Sequence, residues 1–91
     1  MNTDGDKENI IVYTIAYCPY CVSVMGLLEK KGVSFQQVSI DDKPDVTRQV
    51  HEKTGQFTFP QVFVGNRHIG NCDELYRLDR IGELDGLLGL K

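Results

Sequence analysis

The 91-residue chain contains no tryptophan, only two histidines and no uninterrupted apolar run of about 18 residues. Without such a run we expect no membrane-spanning helix and no membrane partner. The ten basic residues are scattered and the net charge is −3, so nothing indicates a nucleic-acid partner. The first nine residues lack the apolar centre of a secretory signal peptide, so we expect a cytoplasmic protein.

The three cysteines are an odd number, which argues against a disulfide scaffold. Two of them, Cys18 and Cys21, enclose Pro19 and Tyr20 in a Cys-x-x-Cys pair. In a cytosolic protein, where thiols stay reduced, such a pair is more often catalytic or metal-binding than structural.

The pair follows an apolar, β-branched run that predicts a buried strand, and it precedes a helical pattern. Cys18 is therefore expected at the start of a helix, where free backbone N–H groups and the helix dipole favour a thiolate. Pro19 suits the first helical turn, and Cys21 follows Cys18 by about one turn. The spacing is suitable for a reversible disulfide.

Hydrophobic periodicity and turn residues divide the chain into a flexible tail, residues 1–9, and one domain, residues 10–91. The predicted strands cover residues 10–14, 34–40, 61–64 and 67–69, and the predicted helices cover residues 19–31, 44–53, 73–80 and 83–90. The first two strands enclose a helix and should be parallel, whereas the last two form a hairpin. We expect an α/β fold, with a four-stranded mixed sheet flanked by helices on both faces.

Three blocks carry a resemblance to a known family: Cys18-Pro19-Tyr20-Cys21, Thr58-Phe59-Pro60 and Gly70-Asn71-Cys72-Asp73-Glu74. From about Ile10 to Leu88 the chain resembles the dithiol glutaredoxins of the small bacterial type. The resemblance implies a thioredoxin-like fold and a glutathione-dependent thiol-disulfide oxidoreductase.

In the implied mechanism, Cys18 is the nucleophile that reduces glutathione mixed disulfides, and Cys21 resolves the mixed species formed with protein disulfides. Glutathione serves as co-substrate, no cofactor is tightly bound, and the protein is expected to be a monomer. Its other partners would be glutathionylated or disulfide-containing client proteins.

The resemblance also implies a set of residues that bind glutathione. The Phe59–Pro60 bond would be cis, which leaves the Phe59 backbone groups free to pair with the ligand. The helix start at Cys72 and Asp73 would receive the γ-glutamyl carboxylate, and Gln56 would bond the glycine carboxylate. The full implied set is Tyr20, Gln56, Thr58, Phe59, Pro60, Asn71, Cys72 and Asp73.

The chain departs from the family pattern at two positions. Ile15 stands where the family commonly has a basic residue, and Asn71 stands where it often has glycine. The loss of charge suggests a client with apolar character that reaches Ile15, Val22 and Met25. Asn71 brings a side chain close to the expected ligand.

Other interpretations of the same residues stay open. Cys18 and Cys21 are half of a tetrahedral zinc site if His68 and Cys72 complete it. A thioredoxin-like protein-disulfide reductase and a non-enzymatic iron–sulfur or metal carrier are the alternative functions. Cys72 with Asp73 can be a simple helix cap, and Tyr17 can either contact the ligand or pack against the protein.

Overall fold

The computed structural model describes residues 9–90, so the tail predicted for residues 1–9 lies, except for its last residue, outside the described part of the chain. The strands are β1 (Ile10–Thr14), β2 (Gln36–Ser39), β3 (Gln61–Val64) and β4 (Arg67–Gly70), and the helices are α1 (Pro19–Lys30), α2 (Pro44–Thr54), α3 (Cys72–Arg80) and α4 (Leu84–Leu87). The element order matches the prediction. Strand β2 is shorter than predicted, because its pairing with β1 begins only at Gln36.

The four strands form one sheet in the order β2-β1-β3-β4. Strand β1 runs parallel to β2 and antiparallel to β3, and β3 pairs with β4 as an antiparallel hairpin. The predicted mixed sheet is confirmed. The arrangement leaves the end of β1, from which the cysteine pair follows, near the centre of the sheet.

Alternation along β1 directs its side chains to two different faces. On one face, Ile10 and Val12 join a single buried cluster to which α1, α3 and α4 contribute Leu28, Leu75 and Leu84. That cluster also contains Val24, Leu27, Val62, Val64 and Leu88.

On the opposite face, Tyr13 packs edge-on against Phe63, with ring centroids 5.6 Å apart. The ammonium group of Lys53, from α2, lies 5.9 Å from the centroid of the Phe63 ring. Helices therefore cover both faces of the sheet, as predicted. Within residues 9–90, no helix is long and apolar enough to cross a membrane.

An ion-pair cluster ties the end of α1 to the two C-terminal helices. Lys31 Nζ lies 2.5 Å from Asp79 Oδ1 and 2.7 Å from Asp85 Oδ1. Because α1 begins at the cysteine pair, this cluster joins α1 to α3 and α4 at the opposite end of the helix.

Candidate active site

Cys18 is the N-cap of α1, with Pro19 in the first helical position. Its sulfur accepts a hydrogen bond from the backbone N–H of Cys21, with 3.2 Å between N and Sγ. A serine oxygen usually makes this bond to the third residue of a helix, and here the cysteine sulfur replaces it. The Cys18 sulfur thus receives one of the free backbone N–H groups at the start of α1.

Cys21 differs from Cys18 in its surroundings. Its side chain is 2% exposed, whereas Cys18 is half-buried. Burial, followed by a hydrogen bond with the Cys18 side chain, raises the pKa of the Cys21 thiol to about 12. The pair therefore contains one accessible sulfur at a helix start and one buried thiol that stays protonated at neutral pH.

The segment before β3 lies against the Cys18 sulfur. The Phe59–Pro60 peptide bond is cis, as predicted. Cys18 Sγ lies 3.8 Å from the carbonyl oxygen of Phe59, which accepts a weak bond from the thiol. The first two sequence blocks, which are about 40 residues apart in the chain, thus meet at the nucleophile.

Helix α3 begins at Cys72 and is capped by Asn71, one residue earlier than the predicted cap. Asn71 Oδ1 accepts from the Glu74 N–H at 3.0 Å, and Glu74 Oε1 accepts from the Asn71 N–H at 2.9 Å. This reciprocal capping box holds the Asn71 side chain against the helix. The side chain that departs from the family pattern therefore has a structural role.

A cleft of about 260 Å³ opens between these elements. Its walls are formed by six of the eight residues predicted to bind glutathione: Tyr20, Thr58, Phe59, Asn71, Cys72 and Asp73. Pro60 is buried beneath the wall, and Gln56 reaches the edge of the cleft through a 3.4 Å contact between its Oε1 and Asn71 Nδ2. The start of α3 gives one end of the cleft the backbone N–H groups that bind anions.

Cys72 lines this cleft as a half-buried thiol. Burial is the largest of the effects that raise its pKa, and the nearby Asp73 carboxylate raises it further. Cys72 therefore carries less thiolate than an ordinary cysteine.

A larger groove, of about 500 Å³, also borders the cysteine pair. Its apolar walls include Ile15, Val22 and Met25, the residues singled out for client contact. Tyr17 also lines it, with a fully exposed side chain and a left-handed backbone of φ +56°. Of the two roles left open for Tyr17, packing inside the protein is thus ruled out.

Sequence reasoning missed Gln61, which follows Pro60. Its side chain is completely buried and lies within hydrogen-bond distance of Gln56, Thr58 and His68. Burial lowers the pKa of His68, and the Glu74 carboxylate opposes this shift. The one available signal was a glutamine at the start of an otherwise apolar strand, Gln61–Val64. From the sequence, His68 is a candidate only as a metal ligand.

The chain matches the family model described as Glutaredoxin over residues 10–69. It is 44% identical to a glutaredoxin of Pseudomonas aeruginosa. The aligned 79 residues cover 87% of this chain and 94% of the relative. The solution structure of a glutaredoxin from Brucella melitensis superimposes with a TM-score of 0.83 at 39% identity, over 97% of this chain and 96% of that one.

A buckwheat glutaredoxin–glutathione complex superimposes with a TM-score of 0.82 at 33% identity, over 90% of this chain and 77% of that one. These likenesses confirm the predicted thioredoxin-like fold. Because the family match covers more than half of the chain and the Pseudomonas relative is 44% identical, the chain belongs to the glutaredoxin family of glutathione-dependent thiol-disulfide oxidoreductases.

Proposed function

We propose that Cys18 is the nucleophile and Cys21 the resolving thiol of this oxidoreductase. One observation carries the assignment: the half-buried Cys18 sulfur accepts the Cys21 N–H at the start of α1, while the Cys21 thiol is buried. Only a thiolate attacks a disulfide, so the sulfur held by an N–H donor reacts first.

For a glutathionylated client, the Cys18 thiolate attacks the glutathione sulfur. The bond between that sulfur and the client sulfur breaks, the client leaves as a thiolate, and water protonates it. A second glutathione thiolate then attacks the glutathione sulfur bound to Cys18. Oxidised glutathione leaves, and the Cys18 thiolate is restored.

For a client disulfide, Cys18 forms a mixed disulfide with one client sulfur, and the other client sulfur leaves as a thiolate. Cys21 then gives its proton to water and attacks the Cys18 sulfur. The bond between Cys18 and the client sulfur breaks, the client sulfur leaves as a thiolate that water protonates, and a Cys18–Cys21 disulfide remains. Once Cys18 is bonded to the client, it no longer raises the pKa of Cys21 by hydrogen bonding. Two glutathione molecules then supply the two electrons that reduce the pair.

Glutathione is proposed to occupy the cleft between Tyr20, Phe59 and Asp73. Backbone groups of Phe59 would pair with its cysteine residue as in an added strand. The α3 N-terminus would bind the γ-glutamyl carboxylate, and the Asp73 carboxylate would bind its amino group. Its glycine carboxylate is assigned to Gln56.

Client proteins are proposed to lie over the second groove, which borders the same cysteine pair. Val22 is 67% exposed and Ile15 is 39% exposed, so both offer apolar surface to a partner. We propose that the protein works in the cytosol, where thiols such as that of Cys18 are kept reduced. We also propose that it is a monomer, so that the groove beside Cys18 stays open to client proteins.

The roles of the cysteines can be tested with a glutathione-coupled assay that includes glutathione reductase. Cys18→Ser should abolish the reduction of a small glutathione mixed disulfide. Cys21→Ser should retain that reaction but lose efficient reduction of a protein disulfide. An active Cys18→Ser variant, or a Cys21→Ser variant inactive on both substrates, would show that the roles are wrongly assigned.

The proposed client surface can be tested with Val22→Glu. The introduced carboxylate should slow the reduction of a glutathionylated protein several-fold but leave the rate of reduction of the small mixed disulfide unchanged. Gln49→Glu places the same charge on the exposed surface of α2 and serves as the matched control. Equal slowing by both variants, or none, would exclude a client surface at Val22.

A further inference from the structure

We propose that Gln61 is a positioning residue that fixes the side-chain amide of Gln56, so that the Gln56 NH₂ group is the part presented to a carboxylate. The inference rests on the proposed function, in which Gln56 bonds the glycine carboxylate of glutathione. It adds Gln61 and His68 to the residues that determine how this ligand is held.

The polarity of the network follows from one backbone carbonyl. Gln61 Nε2 lies 2.8 Å from the carbonyl oxygen of Thr58, which can only accept a hydrogen bond. The amide nitrogen of Gln61 must therefore face Thr58. The same nitrogen lies 2.8 Å from the side-chain amide of Gln56, so the Gln56 atom facing it must be the acceptor, Oε1.

His68 supports the same orientation from the other side. Gln61 Oε1 lies 2.7 Å from His68 Nε2, and because this oxygen only accepts, the histidine must donate through Nε2–H. Burial lowers the pKa of His68 and so favours the neutral ring. Both ends of the Gln61 side-chain amide are hydrogen-bonded and the side chain is fully buried, so the orientation of the amide is fixed.

A second, independent donor reaches the same Gln56 oxygen. Asn71 Nδ2 lies 3.4 Å from Gln56 Oε1. The Asn71 amide cannot rotate freely, because its Oδ1 accepts from the backbone N–H of Glu74. Two anchored donors thus face the Gln56 oxygen.

The opposite end of the Gln56 amide is left for a ligand. Within residues 9–90, Gln56 Nε2 has no hydrogen-bond partner, and Gln56 is only half-buried. An NH₂ group carries two donors and no acceptor, so it suits a carboxylate. Because Asn71 and Thr58 line the cleft, the network holds this donor at the cleft edge.

The first experiment compares two small mixed disulfides that carry the same fluorescent thiol. One contains glutathione, and the other contains its glycine amide, which lacks that carboxylate. Turnover is followed by the release of the fluorescent thiol at one fixed concentration of glutathione. Gln56→Glu keeps the acceptor that faces Gln61 and replaces the NH₂ group with a carboxylate oxygen. The KM for the glutathione mixed disulfide should rise about tenfold, whereas the KM for the glycine-amide mixed disulfide should not rise, and kcat should be retained.

The second experiment acts through Gln61. Gln61→Leu should raise the KM for the glutathione mixed disulfide several-fold and leave the KM for the glycine-amide mixed disulfide unchanged. In a Gln56→Arg background, where every orientation of the side chain presents donors, Gln61→Leu should have no effect on either KM. Gln49→Leu, on the exposed surface of α2, is the matched control.

The inference would be overturned if Gln56→Glu changed the KM for both ligands alike or the KM for neither of them. Equal effects of Gln61→Leu on both ligands, or an undiminished effect in the Gln56→Arg background, would also overturn it. If Gln61→Leu does not fold, Gln61→Glu takes its place, because it keeps the size of the side chain and faces Gln56 with an acceptor instead of a donor; the same pattern of KM changes is expected. Failure of the proposed function gives a different result, because the unmodified protein would then show no turnover with glutathione.

Discussion

The backbone N–H of Cys21 donates to the sulfur of Cys18 over 3.2 Å, so the proposed nucleophile is itself the residue that caps α1. A thiolate accepts such a bond more strongly than a thiol. The Cys18 sulfur is therefore part of the hydrogen bonding that holds the first turn of α1. Changes that loosen this turn should weaken reactivity even when they do not touch the sulfur.

Alkylation should distinguish the three cysteines. Burial raises the pKa of Cys21 to about 12, so its thiol stays protonated at pH 7, and its side chain is 2% exposed. Burial also raises the pKa of Cys72. Limiting iodoacetamide at pH 7 should label Cys18 at least about tenfold faster than Cys21 or Cys72, as measured by peptide mass spectrometry. Faster labelling of Cys72 would contradict the proposed assignment.

Stability of the reduced protein should fall at alkaline pH. The Cys21 pKa is raised from its ordinary 9.0 to about 12, so between these values the unfolded chain has lost the proton and the native protein retains it. The free energy of unfolding therefore decreases as pH rises, with a slope of at most about 1.4 kcal/mol per pH unit for one proton. Urea unfolding from pH 8.5 to 10.5 should show a shallower slope for Cys21→Ala. Parallel profiles would show that Cys21 does not titrate in this way.

Gly70→Ala should disrupt the start of α3. Gly70 has φ +144°, and a Cβ there would lie 2.6 Å from the Glu74 Cβ. Glu74 would have to move and break the capping box with Asn71, so we expect a loss of roughly 2–3 kcal/mol. Gly26→Ala is the matched control, because nothing lies within 4 Å of its Cβ position in α1. That change should stabilise by about 0.5–1 kcal/mol, and a similar effect of both changes in denaturant unfolding would refute the steric argument.

Asn71 should contribute to stability through its cap. Asn71→Ala removes the acceptor for the Glu74 N–H and should cost about 1 kcal/mol. Asn71→Ser retains a capping oxygen without the side-chain amide, so its cost should stay within a few tenths of a kcal/mol. Chemical denaturation measures both, and equal losses would mean that the cap is not what Asn71 contributes.

The sequence by itself determined the order of the elements, the hairpin and the position of Cys18 at a helix start. These features depend on local periodicity and on residues with fixed backbone preferences, such as Pro19. The family followed from three short blocks in one order, and the family match confirms it. The length of β2 was less predictable, because a strand extends only as far as its neighbour pairs with it.

Only the tertiary structure decided what surrounds the cysteine pair. The contact between Cys18 and Phe59 joins residues 41 positions apart, and the burial that separates Cys21 from Cys18 comes from packing of the whole sheet. The hydrogen bonds of Gln61 could not be predicted for the same reason, because its partners come together only in the folded protein. Hydrogen-bond polarity and burial belong to the assembled fold, and they decide which sulfur is buried and which atom of Gln56 faces Gln61.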